Sequence, residues 1–584
     1  MAPWLAELRR RNVHRIVIAY LAIAWLLAQV AGFLAEAFAW PAWPLRAVVV
    51  ALALGLPAAA AMAWFFELTP GGLVRERDMG LGTAVRVRPH RALDVAIVVL
   101  IAIAIGYFVV THDWRGGRSA RQAADSPATL AVLPFKPIVA SSRDEALEFG
   151  MADTLITRLS GVADVVISPL SSVRRYAALD QDPIAAGREL GVDSVLDGSV
   201  QKSGERLRVT ARLLQVADGR QLWSGRFDEK STDIFAVQDS IADRVAAALA
   251  LSLSPAEKQR LGRRATGDAA AYELFLSGRY YWNRRGAPDD LKKAIEFYTR
   301  AVERDPRFAL AYSGLADALA VQALFGVRAP QDVYPRALAA ADRALELDPD
   351  LAEAHATRGH IRLNFQYDWQ GALDDYDEAI RHDPRYALAH MWRGFWLLFV
   401  GRGDEGLAEL QVARELEPES LPLAANLARG LYWLRRYDAA EAQLARVLEK
   451  EPQNGLARAL LVSVNVERGR YDAAIALLSQ GMANAPGGRG LRGVVLAKAG
   501  RVDEARAELA RLEELAKHQY VSAYDLASID AALGDTDDAF AWLDRAVVER
   551  SSLLTTMRVD PVMDGLRSDP RYVDFENKIG MPPR

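Results

Sequence analysis

The sequence predicts a multi-domain chain with three transmembrane helices, a small α/β domain and an all-α solenoid of stacked helical hairpins. Three observations predict it. Pro306, Pro349, Pro384, Pro418, Pro452 and Pro486 recur at spacings of 43, 35, 34, 34 and 34 residues, and 34 residues is the length of one two-helix repeat. Three long runs near the N-terminus carry no charge. Between those runs and the first recurring proline, short apolar stretches of strand type alternate with helical spacing.

The charge-free runs are residues 16–35, 47–66 and 95–111. At about 1.5 Å per helical residue the first two match the roughly 30 Å of a bilayer's hydrocarbon core, and the third lies at the short end of the spanning range. A buried helix of a soluble domain is the other reading of the third. Arg9, Arg10, Arg11 and Arg15 precede the first run, and Arg75, Arg77, Arg86, Arg88 and Arg91 fill the loop after the second, whereas only Arg46 lies between the first two. The positive-inside rule then gives a bacterial inner-membrane protein with a cytoplasmic N-terminus and with residues after 112 periplasmic. The first run also admits a signal-peptide reading, with Ala35-Glu36-Ala37 as a loose cleavage site, but its length and the two runs after it favour an uncleaved anchor. Gln29, polar within the first run, offers a helix–helix hydrogen bond and so a route to homo-oligomers through the membrane helices.

Bulk composition narrows the function. A formal net charge of −4 over 584 residues gives no ground for a nucleic-acid partner, and none is expected. The chain has no cysteine, which excludes disulfides, thiolate metal sites and cysteine nucleophiles.

Residues 1–112 are thus read as the membrane anchor and 113–127 as a polar linker. An α/β domain follows over 128–252. Its expected strands are Thr129–Phe135, Val165–Pro169, Ser194–Lys202, Leu207–Gln215 and Gln221–Asp228, and its helices Asp144–Leu159, Pro183–Leu190 and Ile234–Leu251. Ser203-Gly204 and Asp218-Gly219 are hairpin turns, and Pro183 suits a first helical turn. The three-strand meander leaves an edge that can accept a partner strand. Asp153, Asp193 and Asp197 are isolated carboxylates, read as caps and turn acceptors and not as catalytic groups.

Several motifs here carry a resemblance. Ala131 to Phe135 (AVLPF), Gly150-Met-Ala-Asp153, Gly187 to Gly191, Leu196 to Val200, the Leu222-Trp223 stretch and Ile234 to Gln238 together resemble the TolB N-terminal-like, FlgO-related domain of bacterial envelope proteins. Arg9 to Val13, Ala24 to Leu26 and Phe66 to Pro70 resemble that family's membrane anchor. In relatives, the resemblance implies, this domain and its repeats follow a winged-helix DNA-binding domain or an adenylate-cyclase catalytic domain. Neither output domain is read in this sequence, and no Walker loop, GxSxG elbow or HExxH stretch occurs.

The repeats, over 268–550, have the 34-residue period of tetratricopeptide hairpins, eight in number, with enlarged turns at Arg284 to Pro288 and Phe325 to Pro335. Those long turns are expected to dock the two domains. Asp560-Pro561 and Asp569-Pro570 each place a cap before a first-turn proline, so 551–584 reads as two short capping helices over the solenoid's open end. First helices line the concave face of such a solenoid. Met391, Phe395 and Leu398 of the fourth hairpin and Arg429 and Tyr432 of the fifth are expected there as a peptide-binding groove, with Trp392, Trp396, Phe399 and Trp433 nearby. An apolar groove with an arginine suits aromatic or aliphatic anchors beside a carboxylate. Packing between repeats is the competing reading of these aromatics. His355, His360, His382 and His390 read as packed or surface residues rather than metal ligands.

The expectation is a non-catalytic scaffold that binds envelope protein or peptide partners, without cofactor or metal. A transmembrane sensor module resembling the receptor half of the winged-helix or cyclase relatives is the alternative.

Overall fold

In the computed structural model the described residues are 128–137, 143–160, 162, 165–230, 234–249, 265–284, 288–324, 326–479 and 490–583, with 24, 52, 66–69 and 72–75. The chain divides into two units, residues 1–126 and 127–584.

In the first unit Phe66–Thr69 (β1) and Gly72–Arg75 (β2) pair antiparallel, Thr69 opposite Gly72. This corrects the sequence expectation that the run 47–66 is helical to its end, because Phe66 opens a strand. The expectation of three transmembrane helices is corrected as well. Among the described residues no helix is long and apolar enough to cross a membrane. The runs 16–35, 47–66 and 95–111 otherwise lie almost wholly outside the described residues. The inner-membrane localisation, with residues after 112 periplasmic, has no spanning helix among the described residues to rest on and is withdrawn with them.

The second unit begins with a mixed sheet. Ala128–Val132 (β3) lies parallel between Val165–Ile167 (β5) and Ser194–Ser203 (β6), and Arg206–Gln215 (β7) and Gln221–Lys230 (β8) extend it antiparallel. Lys136–Pro137 (β4) adds a short parallel pairing to β6. Ser203 pairs Arg206 across a two-residue loop whose Gly204 has φ +58°, the left-handed backbone that glycine adopts without a Cβ clash. Four helices pack with this sheet: Glu145–Ser160 (α1), Leu170–Val173 (α2), Pro183–Leu190 (α3) and Ile234–Ala248 (α4). Asp182 caps α3 by accepting from the Ile184 N–H, with Pro183 in the first turn.

From Ala269 to Val548 the described helices form eight antiparallel pairs. The recurring proline acts where expected. The second helices end at Arg304, Leu347, His382, Leu416 and Lys450, each two residues before its proline. The intervening residues Asp348, Asp383, Glu417 and Glu451 have φ between −128° and −141°, the extended backbone that a following proline imposes. Pro486 lies outside the described residues.

The irregular spacings are absorbed in two different ways. The 43-residue interval lengthens both helices of the second hairpin, Ala309–Leu324 and Pro330–Leu347. Pro330 to Pro335 is therefore helical, and the enlarged turn expected there is replaced by a short one. The 35-residue interval inserts one residue into the third hairpin, whose first helix, Ala352–Ile361, runs into a π-turn over Arg362–Gln366. Tyr367 closes that turn in the left-handed region at φ 57°.

Small residues set the crossings within hairpins. A Cβ on Gly278 would meet the Tyr298 ring at 2.6 Å, and one on Gly359 the Tyr376 ring at 2.7 Å. The same contact thus recurs between first and second helices. A single apolar core runs from the sheet into the first three hairpins, through Leu130, Val209, Ile241, Tyr272, Leu276 and Tyr298.

The tail contains three short segments rather than two: 3₁₀ turns at Ser552–Thr556 and Pro561–Leu566, then the helix Arg571–Lys578. It does more than cover the last hairpin, against which Phe575 stacks on Phe540 at 5.6 Å. It also crosses to the second, third and fifth hairpins. Tyr334 Oη lies 3.0 Å from Ser552 Oγ, Trp369 Nε1 donates to the Ile579 carbonyl at 2.8 Å, and Arg435 donates to the Val559 carbonyl at 2.6 Å.

Candidate functional site

The concave side of the hairpins encloses a cavity of about 2130 Å³, larger than the roughly 300–1,000 Å³ usual for a small-molecule pocket. Three parts of the second unit surround it: first helices of the repeats, the α/β domain, and the tail.

The α/β domain is fastened by a fork-to-fork ion pair in which Arg279 Nε and Nη2 each donate to Asp153 at 2.8 Å. Asp153 is buried on α1, and Arg279 lies on the first repeat helix. Farther round the superhelix, Ser171 Oγ donates to Glu417 at 3.1 Å and Arg385 Nη1 donates to the Val165 carbonyl at 2.7 Å. That last bond occupies the outer edge of β5. Arg284, in the first enlarged turn, reaches Glu145 of α1 at 3.5 Å, whereas Phe325 of the second lies outside the described residues.

Of the five groove residues expected from the sequence, Met391, Phe395, Arg429 and Tyr432 line this cavity. Leu398 does not. It is turned into the helix seam, its Cγ 2.8 Å from where a Cβ on Gly406 would sit and its Cδ1 3.3 Å from one on Gly430. Two glycines open that seam, and a leucine one heptad after Met391 fills it.

The aromatics divide in the same way. Trp396 is core, its Nε1 donating to the Trp369 carbonyl at 2.9 Å. Phe395 meets Trp433 edge-on at 5.3 Å and Trp392 at 5.9 Å, and with Met391 these rings make one apolar wall.

Arg429 sits beside that wall, its guanidinium carbon 5.9 Å from the ring centroids of both Phe395 and Trp433. Burial pushes its pKa down to about 10, so it keeps its charge at neutral pH. Among the described residues no carboxylate lies within ion-pair distance of it. A half-buried cation that only aromatic faces accompany is a site for an anion. Across the cavity Tyr524 Oη donates to Asp560 at 3.1 Å, and burial pushes the Asp560 carboxyl up to about 6.

Sequence reasoning missed His360, Asn364 and the tail residue Thr555, which line the same cavity next to Trp392. The His360 ring lies 4.3 Å from the Trp392 ring. The signal that could have found them is the 35-residue spacing, since Asn364 lies in the π-turn that the extra residue makes.

The other histidines are accounted for by the repeat. His355 Nε2 lies 2.8 Å from the Pro349 carbonyl with Nδ1 facing Asp375, and His390 repeats this with Pro384 at 3.0 Å and Glu409 at 2.8 Å. His355, Glu378 and His382 bring possible ligand atoms within 4.8 Å of one another. However, Arg381 already bonds Glu378 and lies 2.7 Å from His382 Nε2, a poor setting for a cation.

Comparison with known proteins supports the repeats directly. Two tetratricopeptide-repeat family models match residues 398–464, 431–494 and 490–552. A family model for the second domain of HilA/YgeH-like transcriptional regulators matches residues 126–244. A putative adenylate cyclase 3 of Rhizobium meliloti is 29% identical over 252 residues, 43% of this chain and 42% of that protein. Hsp70-Hsp90 organizing protein 3 of Arabidopsis thaliana is 29% identical over 93 residues, 16% of this chain and 15% of that protein. The chain thus spans less than half the length of each. The crystal structure of a thermophilic tetratricopeptide protein of Thermus thermophilus aligns over 35% of this chain and 100% of its own, at 22% identity and TM-score 0.28.

Proposed function

We propose that this chain is a non-catalytic scaffold that holds an acidic, apolar peptide segment of a protein partner in the cavity between its repeats, its α/β domain and its tail. One observation carries the reading: Arg429 is half-buried without a carboxylate partner among the described residues, beside the Phe395, Trp392 and Met391 wall, in a cavity large enough for several residues of chain. A bound carboxylate would supply the missing charge, and an aliphatic or aromatic side chain would cover the wall. The similarity to Hsp70-Hsp90 organizing protein 3 over 93 residues is consistent with protein binding. The motifs from Ala131 to Gln238 support a TolB/FlgO-related assignment for the α/β domain, which serves as one wall of the site.

The test is selection of random displayed peptides on the full chain. The wild type should enrich peptides that pair Asp or Glu with a neighbouring apolar residue, and Arg429→Gln should lose the acidic preference and at least tenfold in affinity. Enrichment of the same acidic peptides by Arg429→Gln would contradict the reading.

A second reading is favoured by the matches to a transcriptional regulator's second domain and to a putative adenylate cyclase. In it, the second unit is the receptor half of a signalling protein whose output lies in a separate partner. Peptide binding would then change hydrogen-exchange protection in β7 and β8, strands that contribute no residue to the cavity wall. A scaffold alone would change only the cavity wall.

A further inference from the structure

Arg429 has a counterpart of opposite sign in the same cavity. Counted from the recurring prolines, Glu353 stands four positions after Pro349 and Arg429 eleven after Pro418. In the next three hairpins Leu388, Pro422 and Leu456 occupy the position of Glu353, whereas His360, Phe395 and Ser463 occupy the position of Arg429 in the third, fourth and sixth. All of these line the cavity. Each row of equivalent concave positions thus carries one formal charge among uncharged neighbours, and the repeat itself does not call for it.

Glu353 lies in the first turn of the helix Ala352–Ile361 and is half-buried. Among the described residues no cation lies within ion-pair distance of its carboxylate. Arg279 is the cation that acts on it, and that guanidinium is already forked onto Asp153. The carboxylate is not one of the unbonded polar groups sealed from solvent. Burial, together with Asp383 and Asp348, pushes the Glu353 carboxyl up, a penalty on its charged form that a bound cation would remove. A helix start favours a carboxylate without requiring that it be enclosed.

We propose that Glu353 and Arg429 together read a peptide with charges of both signs, a carboxylate at Arg429 and an ammonium or guanidinium at Glu353, about six residues apart. This rests on the peptide reading above and deepens it. The spacing follows from the repeat. First helices of neighbouring hairpins touch, and touching helices lie about 8–10 Å apart, so the two steps from the third hairpin to the fifth make about 18 Å. The seven positions that separate the two rows add about 10 Å along the helix. The charges are therefore roughly 20 Å apart, which an extended chain covers in about six residues. Met391, Trp392 and Phe395 belong to the fourth hairpin, between the two poles, so the ligand's apolar residues fall between its charges. A Lys or Arg side chain and a free amino terminus offer the same chemistry to Glu353.

The experiment uses the tightest peptide that random display selects on the wild-type chain, synthesised and titrated against wild type and Glu353→Gln. Its acid should be accompanied by Lys, Arg or the free amino terminus about six residues away. Replacing that base by Gln, or acetylating the terminus, should weaken binding to the wild type about tenfold and to Glu353→Gln less than threefold, the loss of one charge-assisted contact. Loss on side-chain replacement assigns Lys or Arg, and loss on acetylation assigns the terminus; either upholds the proposal. Glu353→Lys should in turn prefer the peptide with Glu in place of the base. Equal losses on wild type and Glu353→Gln overturn the proposal, as do selected acidic peptides with no base at a fixed distance. A merely structural role would weaken every peptide alike and give no such coupling. The two readings fail separately: a selection that enriches no acidic peptide on the wild type sinks the peptide reading and this one with it, whereas acidic enrichment with an uncoupled Glu353 sinks this one alone.

Discussion

Arg429 and Asp560 face one cavity with opposite electrostatic histories. Burial weakens the guanidinium's hold on its proton without removing it, and the same burial makes the Asp560 carboxyl retain its own up to about pH 6. Asp560 also caps the second tail turn, accepting from the Val562 N–H at 3.2 Å. Its folded pKa is above the unfolded value of 3.8. Its contribution to stability is therefore full below about pH 3.8 and is lost as the pH rises through about 6. Asp560→Asn keeps the cap and removes the titration; Tyr524, Arg435 and Glu467 face the group and are unchanged. The variant should melt close to wild type at about pH 4 and above it at about pH 7. Parallel melting temperatures across that window would show that the carboxyl is not desolvated in the folded protein.

The hairpins were legible because their rules are local. A proline two residues past the second helix of each of the first five hairpins, and the glycines under Tyr298 and Tyr376, are features made within one repeat, so the sequence period exposes them. The fourth hairpin has an additional constraint. A Cβ on Gly406 would lie 2.7 Å from the Gly394 carbonyl oxygen and 3.0 Å from the Leu398 nitrogen. Backbone cannot step aside as a side chain can. Gly406→Ala should therefore cost about 1–3 kcal/mol in urea unfolding despite alanine's better helix propensity; a gain in stability would mean that this crossing is looser than described. Ala440, fully buried in the fifth hairpin, should tolerate arginine still less, losing several kcal/mol. A normal melting curve for Ala440→Arg would refute the register. The same local logic misplaced Leu398, because helix arithmetic puts it on the stripe of Met391 and Phe395 but cannot see two glycines drawing it into the seam. The one-residue excess at Pro384 was visible as a number, yet a π-turn was one of several ways to absorb it.

At the scale of the whole second unit, the decisive contacts join residues far apart in sequence, and no period or motif announces them. Trp369 meets Ile579 across 210 positions and Arg385 meets Val165 across 220. The sheet domain's edge at β5 is therefore occupied, and the tail is a strap across the repeats as well as a cap. The Asp153–Arg279 pair fastens the sheet domain to the first hairpin. The Arg279 side chain is 32% exposed, so Asp153→Ala should cost up to about 3 kcal/mol, the low end for a pair broken on one side. Unchanged urea unfolding of that variant would mean that the shared core alone holds the two together. The cavity and its lining stand on these same long-range contacts.

Because the chain has no cysteine, one introduced thiol reports on a single position, and this gives the most direct test of the cavity as the binding site. Asn426 lines the cavity one helical turn before Arg429, and Ala445, exposed on the second helix of the same hairpin, is not among the residues that line it. With saturating selected peptide, alkylation of Asn426→Cys should slow at least about tenfold while Ala445→Cys reacts at its original rate. Unchanged alkylation of Asn426→Cys under the same saturation would contradict the account.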